Sequence, residues 1–392
     1  MMNRSEGTSE RRPIISMQRG FQKLHSVILA LMMMLVLVAC PSASPAEDSR
    51  EASPPAGSTD PAELPSGEGT SKEAAPVNSA VNFNHELDSY VPQKDHYDFY
   101  FTYKTVHPWW DSVALGMEEA QRQYLEKGIV VTYEYMAPNA ASAADQTERL
   151  LSAQQGGYDV IGVDVADEAI ISPMIDEMVD SGYKVMTFSS SDAAEGCKRI
   201  AYVGNTHNYK DGADLTEALC AKLNYEGEVA ILVGSKGAPC HEDRAKGAKD
   251  TIAKYGNMKI AAIEYDMDSV DLAHELALKI LREHPSLAGI VCCNMSNPVG
   301  AARAVVETGS SAVIVGMDHD QEALHYLDDG VIYCLGVQDC YSIGFETLQT
   351  AVKIADGNLP GEMFPEKRDE PTTIIHQKDA ASMLAFLYGD AS

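Results

Sequence analysis

From about residue 96 onward the chain alternates short apolar runs with amphipathic stretches, and no other feature constrains its fold as much. The runs are Tyr97–Tyr103, Ile129–Tyr135, Val160–Val165, Lys184–Phe188, Ile200–Val203, Glu228–Val233, Lys259–Tyr265, Gly289–Cys293, Ala312–Met317, Ile332–Leu335 and Thr372–His376. They are rich in Val, Ile and Tyr and nearly continuous in hydrophobicity, the pattern of strands buried on both faces in parallel sheets. Between them lie helical faces: Trp110, Val113, Met117, Ala120 and Tyr124 share one, and Leu272, Leu276 and Ile280 another, flanked by Ala273 and Leu281. Strand–helix–strand repetition implies right-handed crossovers and doubly wound α/β sheets. Ten or eleven strands exceed what one compact sheet usually holds, so two lobes are expected.

The N-terminal part reads differently. Arg4, Arg11, Arg12, Arg19 and Lys23 precede an apolar run from Val27 to Val38, which ends in Leu37-Val38-Ala39-Cys40. A basic segment, a short apolar core and a small residue before the cut describe a signal peptide over 1–39. The apolar run falls short of the roughly 20 residues that a spanning helix needs. The ending resembles a bacterial lipobox, which implies that Cys40 carries lipid as the first mature residue; Met17 offers an alternative start. Residues 40–85 are dominated by Pro, Ser, Ala, Gly and Glu, which cannot bury enough apolar surface to offset ordering entropy. A disordered tether is expected there.

In open α/β sheets, ligands bind beyond the carboxyl ends of the strands. Those positions hold His107-Pro108-Trp109-Trp110, Asp164-Val165-Ala166-Asp167, Ser189-Ser190-Ser191-Asp192, Arg244, Asn294, Asp318 and Gln338. Planar amide, carboxylate and guanidinium groups grip vicinal hydroxyls with paired hydrogen bonds. An aromatic face covers the C–H side of a sugar ring. The set is therefore the chemistry of a carbohydrate site. Several members also have a purely structural reading: Trp110 at core spacing, Asp318 as a helix N-cap, Arg244 in a surface ion pair, Asn294 in a turn and His107 as loop surface.

These residues, in this order, resemble the sugar-binding type I periplasmic binding proteins, the ribose-binding-like receptors of ABC transporters, from about 96 to 377. His107 to Trp110 stand where that family has Asn-Pro-Phe-Phe, and Asp164 to Asp167 where it has Asn-Pro-Thr-Asp. Arg244 falls on its ligand-binding Arg, Asn294 on the Asn of its Asn-Asp pair, Val315 to Asp318 on its Val-Gly-Phe-Asp, and Gln338 on its hinge Gln. The family's Asp-Arg after the fourth strand is replaced by Ser189-Ser190, with Asp192 placed to take the role. Met295 replaces the second residue of the Asn-Asp pair, and Met267 stands where an aromatic contact is usual. The resemblance implies an N-terminal lobe from 96–205 with 339–365 and a C-terminal lobe from 206–338 with 366–392. It places hinge crossings near Asn205, Gln338 and Pro365. It further implies a monomeric, lipid-anchored receptor on the extracytoplasmic face that closes on a sugar or polyol and delivers it to a membrane permease, with no cofactor. A sensory lipoprotein signalling to a histidine kinase or chemoreceptor is the alternative.

Charge and motif counts narrow the remaining classes. With 30 Lys plus Arg against 58 Asp plus Glu, the formal charge of −28 repels phosphate backbones and argues against nucleic-acid binding. Beyond Cys40 seven cysteines remain; Cys292 and Cys293 read as buried free thiols, while Cys334 and Cys340 are close enough in sequence to pair in an oxidising compartment. His274-Glu275 lacks the second His of a zinc protease motif, and no Gly-x-Ser-x-Gly, Gly-x-Gly-x-x-Gly or Walker loop occurs. Asp266 to Asp271 begins like a calcium loop but carries Val270 at its fifth position. A non-enzyme is expected.

Overall fold

A computed structural model of the protein describes residues 84–107, 109–139 and 142–389. The expected signal peptide, Cys40, Pro108 and all of the expected tether except Asn84 and His85 lie outside the described residues. Within these residues twelve strands run in chain order: β1 (His96–Thr102), β2 (Val130–Met136), β3 (Val160–Val163), β4 (Val185–Ser189), β5 (Tyr202–Gly204), β6 (Gly227–Val233), β7 (Met258–Tyr265), β8 (Gly289–Cys292), β9 (Val313–Met317), β10 (Ile332–Gln338), β11 (Lys367–Asp369) and β12 (Thr372–His376). Among the described residues ten helices accompany them: α1 (Trp109–Glu126), α2 (Ala143–Ala153), α3 (Glu168–Asp180), α4 (Asn208–Lys222), α5 (Pro239–Ile252), α6 (Val270–Glu283), α7 (Ser296–Thr308), α8 (Gln321–Asp328), α9 (Cys340–Ala355) and α10 (Gln377–Tyr388).

The strands form two six-stranded sheets of corresponding strand order, β2-β1-β3-β4-β5-β11 and β7-β6-β8-β9-β10-β12. Every pairing is parallel except β10 with β12. Central strands β3, β4 and β8 are buried at every residue, as continuous apolar runs require. The edge strands β2 and β7 depart from that expectation. Each has a neighbour on one side only, and exposed positions recur along both.

The chain passes between the sheets three times. It does so between β5 and α4 at Asn205, between β10 and α9 at Asp339, and between β11 and β12 at Glu370–Pro371. The third passage lies beyond the expected Pro365 because Lys367–Asp369 pairs with β5 in the first sheet. A three-residue charged strand carries no apolar run, so hydrophobic periodicity is blind to it.

Two close helix crossings set the frame of the site. Gly116 of α1 meets Gly344 of α9, where added Cβ atoms would lie 2.0 Å from the Tyr341 carbonyl oxygen and 1.9 Å from that of Val113. Gly212 of α4 meets α5 at Arg244, whose carbonyl oxygen is 2.1 Å from the position of an added Cβ. Any larger residue at Gly212 would push the Arg244 backbone away. On the inner side of α1, Val113, Met117 and Ala120 are fully buried against β1 and α9, a burial worth about 1.5–3 kcal/mol for each large side chain.

Residues 84–95 belong to the folded unit. His85 bonds Ser342 Oγ at 2.6 Å and packs its ring 5.1 Å from Phe345, Leu87 joins the first lobe's core, and Asp88 accepts from Lys353. The expected tether therefore ends before His85. All seven described cysteines, Cys334 and Cys340 among them, are free.

Candidate functional site

The carboxyl ends of the strands from both sheets converge on one cleft between the lobes. Its walls carry Lys104, Thr105, His107, Trp109, Trp110 and Ser190 from the first lobe. His241, Arg244, Asp268, Asn294, Met295, Ser296, Asp318 and Gln338 face them from the second lobe and the hinge. In both sheets the central groups follow the strands flanking the point where strand order reverses, β1 and β3 in one and β6 and β8 in the other.

On the first lobe, the two tryptophans open α1 and meet edge to face, with centroids 4.6 Å apart at 75°. Trp110 stacks on Tyr103 at 4.7 Å, so one ring of the pair is fixed in the core. Lys104 Nζ lies 3.3 Å from both Asp164 oxygens and from Ser191 Oγ, and Asp164 also accepts from Ser189 Oγ at 2.5 Å. Burial alone would lower the lysine's pKa, but Asp164 reverses this and holds the ammonium charged. Burial lowers the His107 pKa, which favours the neutral imidazole.

On the second lobe, Arg244 is among the largest fully buried side chains. Its Nη1 donates to the Cys293 carbonyl at 3.1 Å, while Nε and Nη2 have no partner among the described residues. Asp318 Oδ1 accepts from Gln338 Nε2 at 2.6 Å and, across the lobes, from Trp109 Nε1 at 3.2 Å. Gln338 Oε1 is buried and has no partner among the described residues. Asn294 Nδ2 donates to Asp268 Oδ1 at 2.5 Å, and Ser235 Oγ to Asp268 Oδ2 at 2.5 Å. Burial would raise the Asp268 pKa, but His241, Lys104 and these bonds hold its carboxyl below the usual range. Beneath it Asp266 is pushed up to about 6, by burial first and by the charge of Asp268 after the opposing bond from Ser296.

Asp318 and Ser189 occupy equivalent places at the ends of β9 and β4, and both have left-handed backbones, φ 71° and 80°. Non-glycine residues held this way cost about 1–3 kcal/mol each and cluster at functional sites. The unpaired groups are donors and acceptors fixed in place, suited to the hydroxyls of a neutral ligand. Side chains converge so closely that the central space is only about 40 Å³, room for a few waters. A larger ligand enters only when the lobes separate.

Eight of the sequence-selected residues line this cleft: His107, Trp109, Trp110, Ser190, Arg244, Asn294, Asp318 and Gln338. Four do not. Asp164 and Ser189 lie just beneath it, engaged with Lys104 and with each other. Asp192 turns away and pairs with Arg199 at 2.5 Å and Lys367 at 3.0 Å. Met267 is half-exposed outside the cleft, and its neighbour Asp268 faces inward instead. The N-cap of α8 is Asp320, not Asp318. Sequence reasoning missed Lys104, Thr105, His241, Asp268 and Ser296 as contact positions. The signals were present: Lys104 and Thr105 directly follow the first apolar run, and His241 precedes Arg244 by one helical turn.

Comparison with known proteins agrees with this geometry. Residues 99–359 match the family described as periplasmic binding protein domain. The chain belongs to the periplasmic binding proteins of type I, in the ribose-binding-like group. It is 25% identical over 255 residues to the D-ribose/D-allose-binding protein of Pseudomonas aeruginosa, covering 63% of this chain and 79% of that one. It is 23% identical over 274 residues to the ribose import binding protein of Bacillus subtilis, covering 69% and 84%. Among solved structures, a glucose-galactose binding protein from Geobacillus stearothermophilus superposes with TM-score 0.66 at 27% identity, over 73% of this chain and 99% of that one. The family is one of sugar-binding solute receptors of ABC transporters, and its members here are substrate-binding proteins rather than enzymes.

Proposed function

We propose that the protein captures a monosaccharide or polyol between its lobes and, anchored through lipid on Cys40, delivers it to an ABC permease. The observation that carries this reading is the convergence of Arg244, with two free N–H groups, and the Asp318–Gln338 pair on the Trp109 ring of the opposite lobe. Ligand hydroxyls replace the direct contacts between these groups. The aromatic rings cover the ligand's C–H face, and closure about the three passages removes its hydration. Because both lobes contribute, affinity depends on how strongly the ligand prefers the closed form. The names of these relatives, with that of a xylitol-binding protein from Mycolicibacterium smegmatis that is 26% identical over 157 residues, make D-ribose, D-allose, D-glucose, D-galactose and xylitol the first candidates. A thermal-shift screen of these five tests the reading, since a ligand at 100 times its Kd stabilises by about 2.7 kcal/mol. A raised melting temperature with at least one supports it, and no shift with any at millimolar concentration refutes it.

A further inference from the structure

Cys240 sits in the seam between the lobes. It belongs to the first turn of α5 in the second lobe, is fully buried, and its Sγ accepts from Ser191 Oγ of the first lobe at 3.1 Å. The same hydroxyl is 3.3 Å from Lys104 Nζ, so a cation of the first lobe stands behind the contact. Cys220, Cys292, Cys293, Cys334 and Cys340 are members of the lobes' apolar cores, and Cys197 packs against one; Cys240 belongs to none of them. Its cover comes instead from polar side chains that withdraw when the lobes separate.

The surroundings are those of a reactive thiolate. The start of a helix favours negative charge on sulfur. Burial alone would raise the Cys240 pKa, but His241, Lys104 and Arg244 hold the thiol well below its usual range. Burial pushes the Cys197 thiol up to about 11 and that of Cys293 up to about 12. A separate feature points to an oxygen atom carried on the Cys240 sulfur. Arg244 lies one turn further along the same face of α5, 1% exposed, with Nε and Nη2 lacking partners among the described residues. Of the charged groups that act on this guanidinium, Cys240 comes first, ahead of Asp318 and Asp211. His241 and Arg244 share a helix with Cys240, so they stay beside it in the open form, when Ser191 and Lys104 leave.

We propose that Cys240 is a site of oxidation by hydrogen peroxide, open to attack when the lobes separate and sheltered when they close on a ligand. The thiolate sulfur attacks one peroxide oxygen; the S–O bond forms as the O–O bond breaks, and two electrons pass from sulfur to the peroxide. The second oxygen leaves as hydroxide, takes a proton from solvent and departs as water. A sulfenic acid remains on Cys240, where the free N–H groups of Arg244 hold its oxygen. Closure then fails, because the sulfur has no exposed surface in the closed form and Ser191 Oγ already stands at contact distance. Shelter by a ligand rests on the sugar-clamp reading; the reactivity of the thiol does not.

The test treats the purified protein with dilute hydrogen peroxide and dimedone, and locates the adducts by peptide mass spectrometry. Cys240 is expected to label at least about ten-fold faster than Cys197, the one described cysteine that is not fully buried. Equal labelling of the two, or none at Cys240, overturns the proposal. D-ribose, D-allose, D-glucose, D-galactose and xylitol are then added in turn. A sugar that raises the melting temperature, at ten times its Kd, should slow labelling of Cys240 about ten-fold and leave Cys197 unchanged. Labelling of Cys240 that ignores such a sugar overturns the sheltered seam. If no sugar raises the melting temperature, the sugar reading fails, and the comparison of Cys240 with Cys197 still decides the reactivity. Peroxide should also weaken calorimetric binding of that sugar by about ten-fold or more in the original protein and leave Cys240→Ser unaffected. A loss that persists in Cys240→Ser belongs to another oxidised residue, such as Met295 in the cleft, and overturns the switch.

Discussion

Arg244→Lys separates a ligand-facing role from a structural one. The substitution keeps the buried positive charge near Asp318 and Asp211 but removes the planar fork. In the unliganded protein the fork makes one hydrogen bond, to Cys293 O, and leaves Nε and Nη2 unpaired. Unsatisfied buried donors cost about 1–3 kcal/mol each, so removing them offsets the loss of that one bond. Unliganded stability should therefore change by no more than about 1 kcal/mol. The liganded protein loses two charge-assisted hydrogen bonds to hydroxyls. At about 1.5 kcal/mol apiece that is about 3 kcal/mol, or somewhat over a hundred-fold in affinity. Calorimetric titration with the best-binding monosaccharide, beside melting of the unliganded protein, reads both quantities. Affinity within three-fold of the original protein would refute the reasoning, as would an unliganded destabilisation equal to the loss in binding.

Asp266→Asn should flatten part of the pH dependence of stability. A carboxyl raised to about 6 when folded binds its proton more tightly than in the unfolded chain, so its contribution is full below about pH 4 and is lost as pH rises through 6. Between pH 7.5 and 5 the original protein should gain about 1.4 kcal/mol over the variant, measured by chemical denaturation; parallel profiles would contradict this. Cys40→Ser should release the protein from the membrane fraction or leave its precursor uncleaved, and wild-type fractionation and migration would contradict lipid anchoring. Solution scattering should show a smaller radius of gyration with saturating sugar than without, and an unchanged radius alongside thermal stabilisation would count against a hinged clamp.

The central strands were legible because burial on both faces demands continuous apolar runs, as at Val160–Val163 and Gly289–Cys292. Charged β11 was not, since its place comes from pairing with β5 and its side chains carry no signal. The aromatic pair, Arg244, Asn294, Asp318 and Gln338 were found because each follows or closes a strand, where the topology opens the cleft. Asp192 follows a strand too, yet Arg199 and Lys367 draw it away, and a partner distant in sequence leaves no local trace. Met267 and Asp268 are adjacent with left-handed backbones, and that turn decides which of them faces inward. Sequence spacing alone does not resolve one position from the next there. Lys104 was overlooked because its function depends on Asp164 sixty residues away, and the pairing exists only once β1 and β3 lie side by side.

The chain contains two tryptophans, and both stand in the cleft, so tryptophan emission, excited selectively over that of the 18 tyrosines, reports on the proposed site. Titrating the protein with the monosaccharide that raises its melting temperature should give a saturable change in tryptophan emission. The midpoint should match the calorimetric Kd and move up about a hundred-fold in Arg244→Lys. Calorimetrically confirmed binding with unchanged emission would place the ligand elsewhere and contradict the clamp between Trp109 and Arg244.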